Sequence, residues 1–372
     1  MGKSRIALQV FIVLAIYHVL TFYIGWNITI WIKTTFTFHQ PLLSIFIFAI
    51  LSYSFLLARY LHFYGIFKII GSLWIGFFQY AVLLFPFANL IVLLFTFTTI
   101  PIEIVITSAG YITFIMFLCI FGIGLYNAYQ PIIRNYSLTI KKNKGQLTSL
   151  KIAMASDMHF GTLSGLRHAK RLVKEVNEMK PDLILLPGDI IDDDLKVFLR
   201  KNMSDVLAKF NAPLGVYGVL GNHEYYGGDK EKFVEEMRKI GITILEDEII
   251  PIQDKFIIIG RKDKTDKQRK TITELVTNTK TYHLPTILMD HQPYDLNEAM
   301  INGIDISLSG HTHRGQMVPN HIITRRIFEI DWGYKKKDQL HAIVSSGYGF
   351  WGPPLRLGSR SEIIEIDITF TD

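Results

Sequence analysis

At 372 residues, 49% hydrophobic and 13% aromatic, the chain has room for two or three domains and is too apolar for an ordinary soluble enzyme. Residues 1–130 hold five basic side chains (Lys3, Arg5, Lys33, Arg59, Lys68) and one acid, Glu103, leaving 34 of the 39 Lys/Arg and 32 of the 33 Asp/Glu for the remainder. That remainder is close to neutral, so a pI of about 9.1 is no argument for nucleic-acid binding. The single cysteine, Cys119, excludes an intrachain disulfide framework.

Four stretches lack any charged side chain: 6–32, 34–58, 69–102 and 104–133. Spanning a bilayer needs roughly 20 mostly apolar residues, and an N-terminal all-α transmembrane bundle of four helices is expected over 1–133, at 6–26, 41–60, 72–98 and 107–129. Pro86 interrupts the third. With four spans, Lys3, Arg5, Arg59, Lys68 and the segment 134–144 share one side, and Lys33 and Glu103 the other. The bias of basic residues toward the inner face then predicts a multi-pass protein of the cell membrane with its later half in the cytoplasm. A re-entrant pair around Pro86 would reverse that side. Residues 134–149 read as a linker or a first edge strand, whose Lys141, Lys142 and Lys144 either meet anionic lipid or are simply solvated.

From Leu150 to Asp372 short β-type runs (151–155, 183–187, 215–220, 256–259, 286–289, 304–309, 342–345) alternate with polar segments, and 166–180 and 229–240 have helical amphipathicity. This predicts an α/β layered domain. Each of five runs ends in metal-type ligands: Asp157-Met158-His159, Gly188-Asp189 followed by Asp192, Gly221-Asn222-His223-Glu224, Asp290-His291, and Gly310-His311-Thr312-His313.

Carboxylate with imidazole and no thiolate suits Mn, Fe or Zn rather than a cysteine-type zinc site. Two divalent ions roughly 3.5–4 Å apart can clamp a phosphate and generate hydroxide near neutral pH. A spacing of two in extended backbone would put both ligands of Asp157/His159, and of His311/His313, on one side. Glycines before Asp189, Asn222 and His311 would allow sharp turns. Taken singly, Asp-x-His and Gly-Asp are ordinary turn dipeptides, and only their order and shared strand-end placement make them a site.

That order resembles the calcineurin-like metallophosphoesterase superfamily over about 150–368, including Gly315-Gln316 and a tail Ser346-Gly347-Tyr348-Gly349 to Pro354-Leu355-Arg356 similar to its bacterial membrane-associated branch, which holds enzymes resembling UDP-2,3-diacylglucosamine hydrolase. Ser361 stands where that branch has proline. The resemblance implies a four-layer α/β/β/α sandwich and two divalent metal ions, with Mn favoured. Asp157, His159 and His313 would hold the first ion, Asn222, His291 and His311 the second, with Asp189 bridging. A hydroxide between the ions would attack phosphorus in line, His223 would be the general acid, and Asp192 or Glu224 would orient it. Asp193 and Asp194 read as a solvated acidic loop, Arg314 and Arg356 as surface charges or structural pairs, and His168, His283, His321 and His341 as ordinary packed or surface histidines. The expected activity is that of a membrane-anchored phosphodiesterase or pyrophosphatase on a lipid-linked or nucleotide substrate, with membrane lipid as a partner. The alternatives are a phosphomonoesterase on phosphoprotein or soluble nucleotide, and a membrane sensor or transporter with a regulatory module.

Overall fold

The computed structural model describes residues 3–36, 41–60, 64–142, 147–277 and 284–371; Lys144 and His283, singled out above, lie outside them. The chain divides into two compact units, Met1–Ile123 and Gly124–Asp372.

The first unit is built from α1 (Lys3–Phe36), α2 (Pro41–Tyr60), α3 (Tyr64–Phe95) and most of α4 (Ile102–Tyr129). Three of these, over Ser4–Phe36, Gly65–Phe95 and Ile102–Tyr129, are long and apolar enough to cross a membrane, whereas the apolar piece of α2, Ser44–Ala58, is shorter. The bundle turns large apolar side chains outward, with Phe11, Val13 and Phe22 all more than 60% exposed, which is sensible only against lipid or another apolar surface. Its interior is joined by the chain Trp74 Nε1 to Tyr17 OH (2.8 Å) to Ser52 O, which links α1, α2 and α3. Pro86 does not break the third helix: α3 runs through it as one element and stops at Phe95, short of the expected 98. The freed carbonyl of such a proline is tolerated within an apolar helix by local adjustment.

The second unit holds twelve strands among the described residues: β1 (Ile132–Lys141), β2 (Ser149–Met154), β3 (Leu183–Pro187), β4 (Val216–Val219), β5 (Ile242–Leu245), β6 (Glu248–Ile252), β7 (Phe256–Gly260), β8 (Thr286–Met289), β9 (Ile306–Ser309), β10 (Gly333–Lys337), β11 (Leu340–Val344) and β12 (Glu362–Thr371). They form two six-stranded sheets, ordered β1-β12-β2-β3-β4-β5 and β10-β11-β9-β8-β7-β6. Side chains alternate across a strand, and the alternation builds the layers. Ile152, Met154, Leu183 and Leu185 from the first sheet meet Ile258, Ile287, Met289 and Leu308 from the second in one core. The intervening Ala153, Ile184 and Leu186 face helices on the outer side, among them α5 (Leu166–Glu178) through Ala169, Leu172 and Val176. On the second sheet Ile257, Ile259 and Leu288 likewise pack under the short helices at 272–276 and 296–301. Strands β2, β3 and β4 are mutually parallel, as are β7, β8 and β9, so their C-terminal ends gather at one edge.

The final turn of α4 belongs to this second unit and is stitched to the tail after β11. Gly124 O accepts from Arg356 N (3.0 Å), Asn127 O accepts from Ser361 N (3.0 Å), and Ala128 O accepts from Ser361 Oγ (2.6 Å). A proline at 361 could donate neither bond, which gives a physical reason for the serine.

Candidate metal centre

The five loops that leave β2, β3, β4, β8 and β9 bring the residues singled out in the sequence to one place. Asp157, His159 and His313 present ligand atoms within 4.8 Å of one another, and so do Asp189, His291 and His311. Asp189 Oδ2 lies between the groups, 3.1 Å from His291 Nε2 and 3.8 Å from His159 Nε2. Other separations are 3.0 Å for His159 Nε2 to His313 Nε2 and 3.6 Å for His313 Nε2 to Asp157 Oδ1. Ligands at roughly 2.0–2.2 Å from a shared ion must stand roughly 3–3.6 Å apart, so these spacings are those of a coordination sphere. Asn222 is buried beside them, flanked by Gly221 and by His223, whose N–H donates to Asp189 Oδ1 at 3.0 Å.

The local backbone differs from the extended form expected for Asp-x-His and His-x-His. Asp157, His159, Asp189, His311 and His313 have φ of 50, 45, 50, 70 and 48°, all left-handed. Convergence of each pair therefore comes from tight turns and not from strand alternation. Each such residue costs roughly 1–2 kcal/mol, and strain of this kind concentrates at functional sites. Bonds from Asp157 N to Gly188 O and from His159 N to Asp189 O, both 3.0 Å, lock the β2 and β3 loops together. Two of the glycines matter through close approach and not turning: a Cβ on Gly221 would stand 2.1 Å from Asp189 Oδ1, and one on Gly310 2.1 Å from Asp157 Oδ2.

Burial dominates the electrostatics. It pushes Asp157 up to about 6, against the pull of His291. It would raise Asp189 too, but His291, His159 and His223 around it hold that carboxyl well below the usual range. Burial also keeps His159 and His313 well below the ordinary histidine value and brings His311 down to about 4, so these rings offer neutral lone pairs. His291 is the exception: burial disfavours its charge, but Asp189 and Asp157 together hold its pKa well above ordinary. A carboxylate pair that stabilises a proton there would equally stabilise a metal cation.

His223 Nδ1 meets Asp193 Oδ1 at 2.6 Å, so the orienting carboxylate in contact is Asp193, which the sequence reading had placed in a solvated loop. Asp192 lies with His159 and His223, ligand atoms within 4.8 Å. Glu224 is turned away from the histidine; it accepts backbone N–H bonds from Asp189, Gly221 and Ile191 and so shapes the β3 loop. Burial would depress His223, but Asp193, Asp189 and Asp192 raise it to about 9, keeping it protonated at neutral pH. Arg356 is fully buried: its guanidinium donates to Ser346 O, Gly349 O and His313 Nδ1 (3.1 Å), a structural pairing beneath the site. Arg314 lies over Trp332 at 4.0 Å. His168 and His341 are packed, the first against Tyr348 and the second against Tyr334.

The calcineurin-like phosphoesterase pattern matches residues 150–315. An uncharacterized metallophosphoesterase of Aquifex aeolicus is 36% identical over 247 residues, covering 63% of this chain and 91% of that protein. The chain belongs to the calcineurin-like metallophosphoesterase family. Two vertebrate relatives, each described as a transmembrane protein with metallophosphoesterase domain, are 31% (Danio rerio) and 30% (Bos taurus) identical, covering 65% and 66% of this chain. The chain spans 59% of the length of each. Calcineurin-like phosphoesterases use a dinuclear divalent site, and the residues of this chain fit one. Asn222 Oδ1 is buried without a hydrogen-bond partner, an expensive arrangement that a bound cation relieves. His291 Nδ1 donates to Pro187 O at 2.8 Å, which fixes the tautomer with Nε2 free to bind metal.

Proposed function

We propose that the protein is a membrane-anchored phosphodiesterase or pyrophosphatase acting on a lipid-linked or nucleotide phosphate. The observation that carries this is Asp189 Oδ2 standing between two donor clusters, 3.1 and 3.8 Å from their histidines. Asp157, His159 and His313 would hold one ion, and Asn222, His291 and His311 the other, with Asp189 shared. Four imidazoles and three oxygen ligands suit Mn, Fe or Zn, and Mn is the ion proposed here. When bound, the pair supplies charge neutralisation for the phosphate and a low pKa for a nucleophilic water.

The remaining work falls to the chain. Asp189 keeps its negative charge in a buried site and so maintains the affinity for cations. Arg356 braces His313 from below through its Nδ1. His223 carries a proton at neutral pH, held by Asp193 on Nδ1, and would deliver it from its ring to the departing oxygen of the ester. A positioned acid of this kind contributes roughly 10²–10⁴-fold. Four spans, α2 included, with the catalytic domain in the cytoplasm, would tether the domain to a membrane that stores lipid-linked phosphates.

The test is hydrolysis of a bis-aryl phosphodiester and an aryl phosphomonoester by the full chain in detergent, with added Mn²⁺ or with chelator, beside Asp189→Asn. Diester cleavage that requires metal and is lost in the variant supports the reading. Preference for the monoester would move the protein to the phosphomonoesterase class. A protein that retains no metal would leave the domain a regulatory module.

A further inference from the structure

A cavity of about 490 Å³ opens where α4 ends and α5 begins, lined among others by Tyr129, Leu163, Leu166, Arg167, His168 and Arg171. Tyr129 is the last residue of α4, an apolar helix long enough to cross a membrane. The cavity is therefore lined by the C-terminal end of an apolar helix of that length.

α5 adds a charge pattern to this position. Arg167, Lys170, Arg171 and Lys174 recur at i, i+3, i+4 and i+7, one face of a helix. Arg167, Lys170 and Lys174 are exposed, while His168, Ala169, Leu172, Val173 and Val176 fill the opposite, buried face. Arg171 is anchored through Nη1 to Tyr129 O and to Gln130 Oε1 (2.9 Å) and lines the cavity. Of the acids on α5, Glu178 lies 3.7 Å from Lys174 and Glu175 partly offsets Arg171, while Arg167 and Lys170 have no acid paired with them in α5. Two of these cations, Arg167 and Arg171, line the cavity. The basic run after α4, by contrast, is displaced: Lys141 ends a ten-residue strand, roughly 30 Å from its start, and Lys142 is paired with Asp305 at 3.0 Å.

We propose that this cavity and the basic face of α5 form a binding site for the phosphate headgroup of an anionic membrane lipid. Arg167 and Arg171 would take the phosphate, with Leu163, Leu166 and Tyr129 against the glycerol and upper acyl carbons. The inference rests on α4 lying in a bilayer and not on the chemistry of the metal centre.

The experiment is native mass spectrometry of the full chain in detergent, titrated with phosphatidylglycerol or with phosphatidylcholine of the same acyl chains. Inorganic phosphate and glycerol 1-phosphate serve as soluble competitors. The expected result is a clear preference for phosphatidylglycerol that falls roughly fivefold for each cation removed, hence about 25-fold in Arg167→Gln/Lys170→Gln. Both of those residues are exposed, so the variant tests the site without disturbing the anchored Arg171. Asp189→Asn should keep the full preference, which separates this site from the catalytic one. An unchanged preference in the double variant overturns the proposal. So does displacement by the soluble phosphates at the concentration at which the lipid binds, which would make the site one for free phosphate.

Discussion

His223 and Asp193 meet at 2.6 Å, while Asp192, one residue earlier, has its carboxylate with His159 and His223 at the metal centre. Adjacent acids therefore have separable effects. Asp193 is half exposed, so its attraction for an imidazolium is screened and modest; what it supplies is ring orientation. Asp193→Asn should lower turnover about tenfold for an ester with a poor leaving group and hardly at all for a nitrophenyl ester, whose leaving group needs no proton. The same signature in Asp192→Asn and not in Asp193→Asn would return the orienting role to Asp192. His168 makes a different prediction. Burial drives it down to about 4, against about 6.5 when unfolded. The folded state thus binds fewer protons between those values, so its stabilising contribution is complete above about 6.5 and is lost as pH falls toward 4. The full effect is on the order of 3 kcal/mol. Melting of the full chain should show the stability of the parent relative to His168→Asn falling as pH drops from 7 to 4.5; parallel curves would refute the assignment. Residue identity at the metal centre was legible because histidine is scarce and the motifs are ordered. The Asp193 contact was not, because nothing in a run of three aspartates says which one the turn aims inward.

The elements that carry the site were the readable ones. Strands expected at 183–187 and 286–289 have those bounds, and the expected helix 229–240 is observed at 230–239. Their continuous apolar runs are what a strand buried on both faces requires. β1, β5, β6, β10 and β12 were harder. β1 alternates exposed and more buried residues beside β12, and a polar edge strand of that kind reads equally as a linker until its partner is known, Asn135 pairing with Glu365, 230 residues on. The loop between β4 and the helix at 222–226 shows what the sequence pattern meant physically. Gly221 has an ordinary negative φ, so any residue could adopt its backbone; it must be glycine because Asp189 Oδ1 occupies the space a Cβ would take. Gly221→Ala should therefore expel Asp189 from its position and cost at least one equivalent of bound metal. Gly241→Ala is the contrast, with φ of 82° but nothing within 4 Å of its Cβ, so only about 1–2 kcal/mol of backbone strain is expected. Metal content after gel filtration decides the matter, since a Gly221→Ala protein that retains both ions would show the close approach to be unimportant.

At the scale of the whole molecule, the side of the membrane that holds the catalytic domain is a question of parity. Crossing by α1, α3 and α4 alone would put residues after Tyr129 opposite the end that carries Arg5; adding α2 would put them on the same side. α2 has 20 residues, roughly 30 Å of helix, which is about the thickness of the hydrocarbon core. It is also packed as a spanning neighbour would be: a Cβ on Gly71 of α3 would stand 2.8 Å from Phe55 N, and Ser52 and Ser54 are buried within the bundle. An interfacial helix would instead separate a polar face from an apolar one, whereas α2 turns Ile45, Phe46, Phe55 and Leu56 outward. The proposal of four crossings with a cytoplasmic domain is therefore open to a direct test. A fluorescent protein fused after Asp372 should then be bright and an alkaline phosphatase fused there inactive, because the first matures in the cytosol and the second only outside it. The opposite pair of results would mean that α2 does not cross and that the chain after Tyr129 lies outside the cytosol.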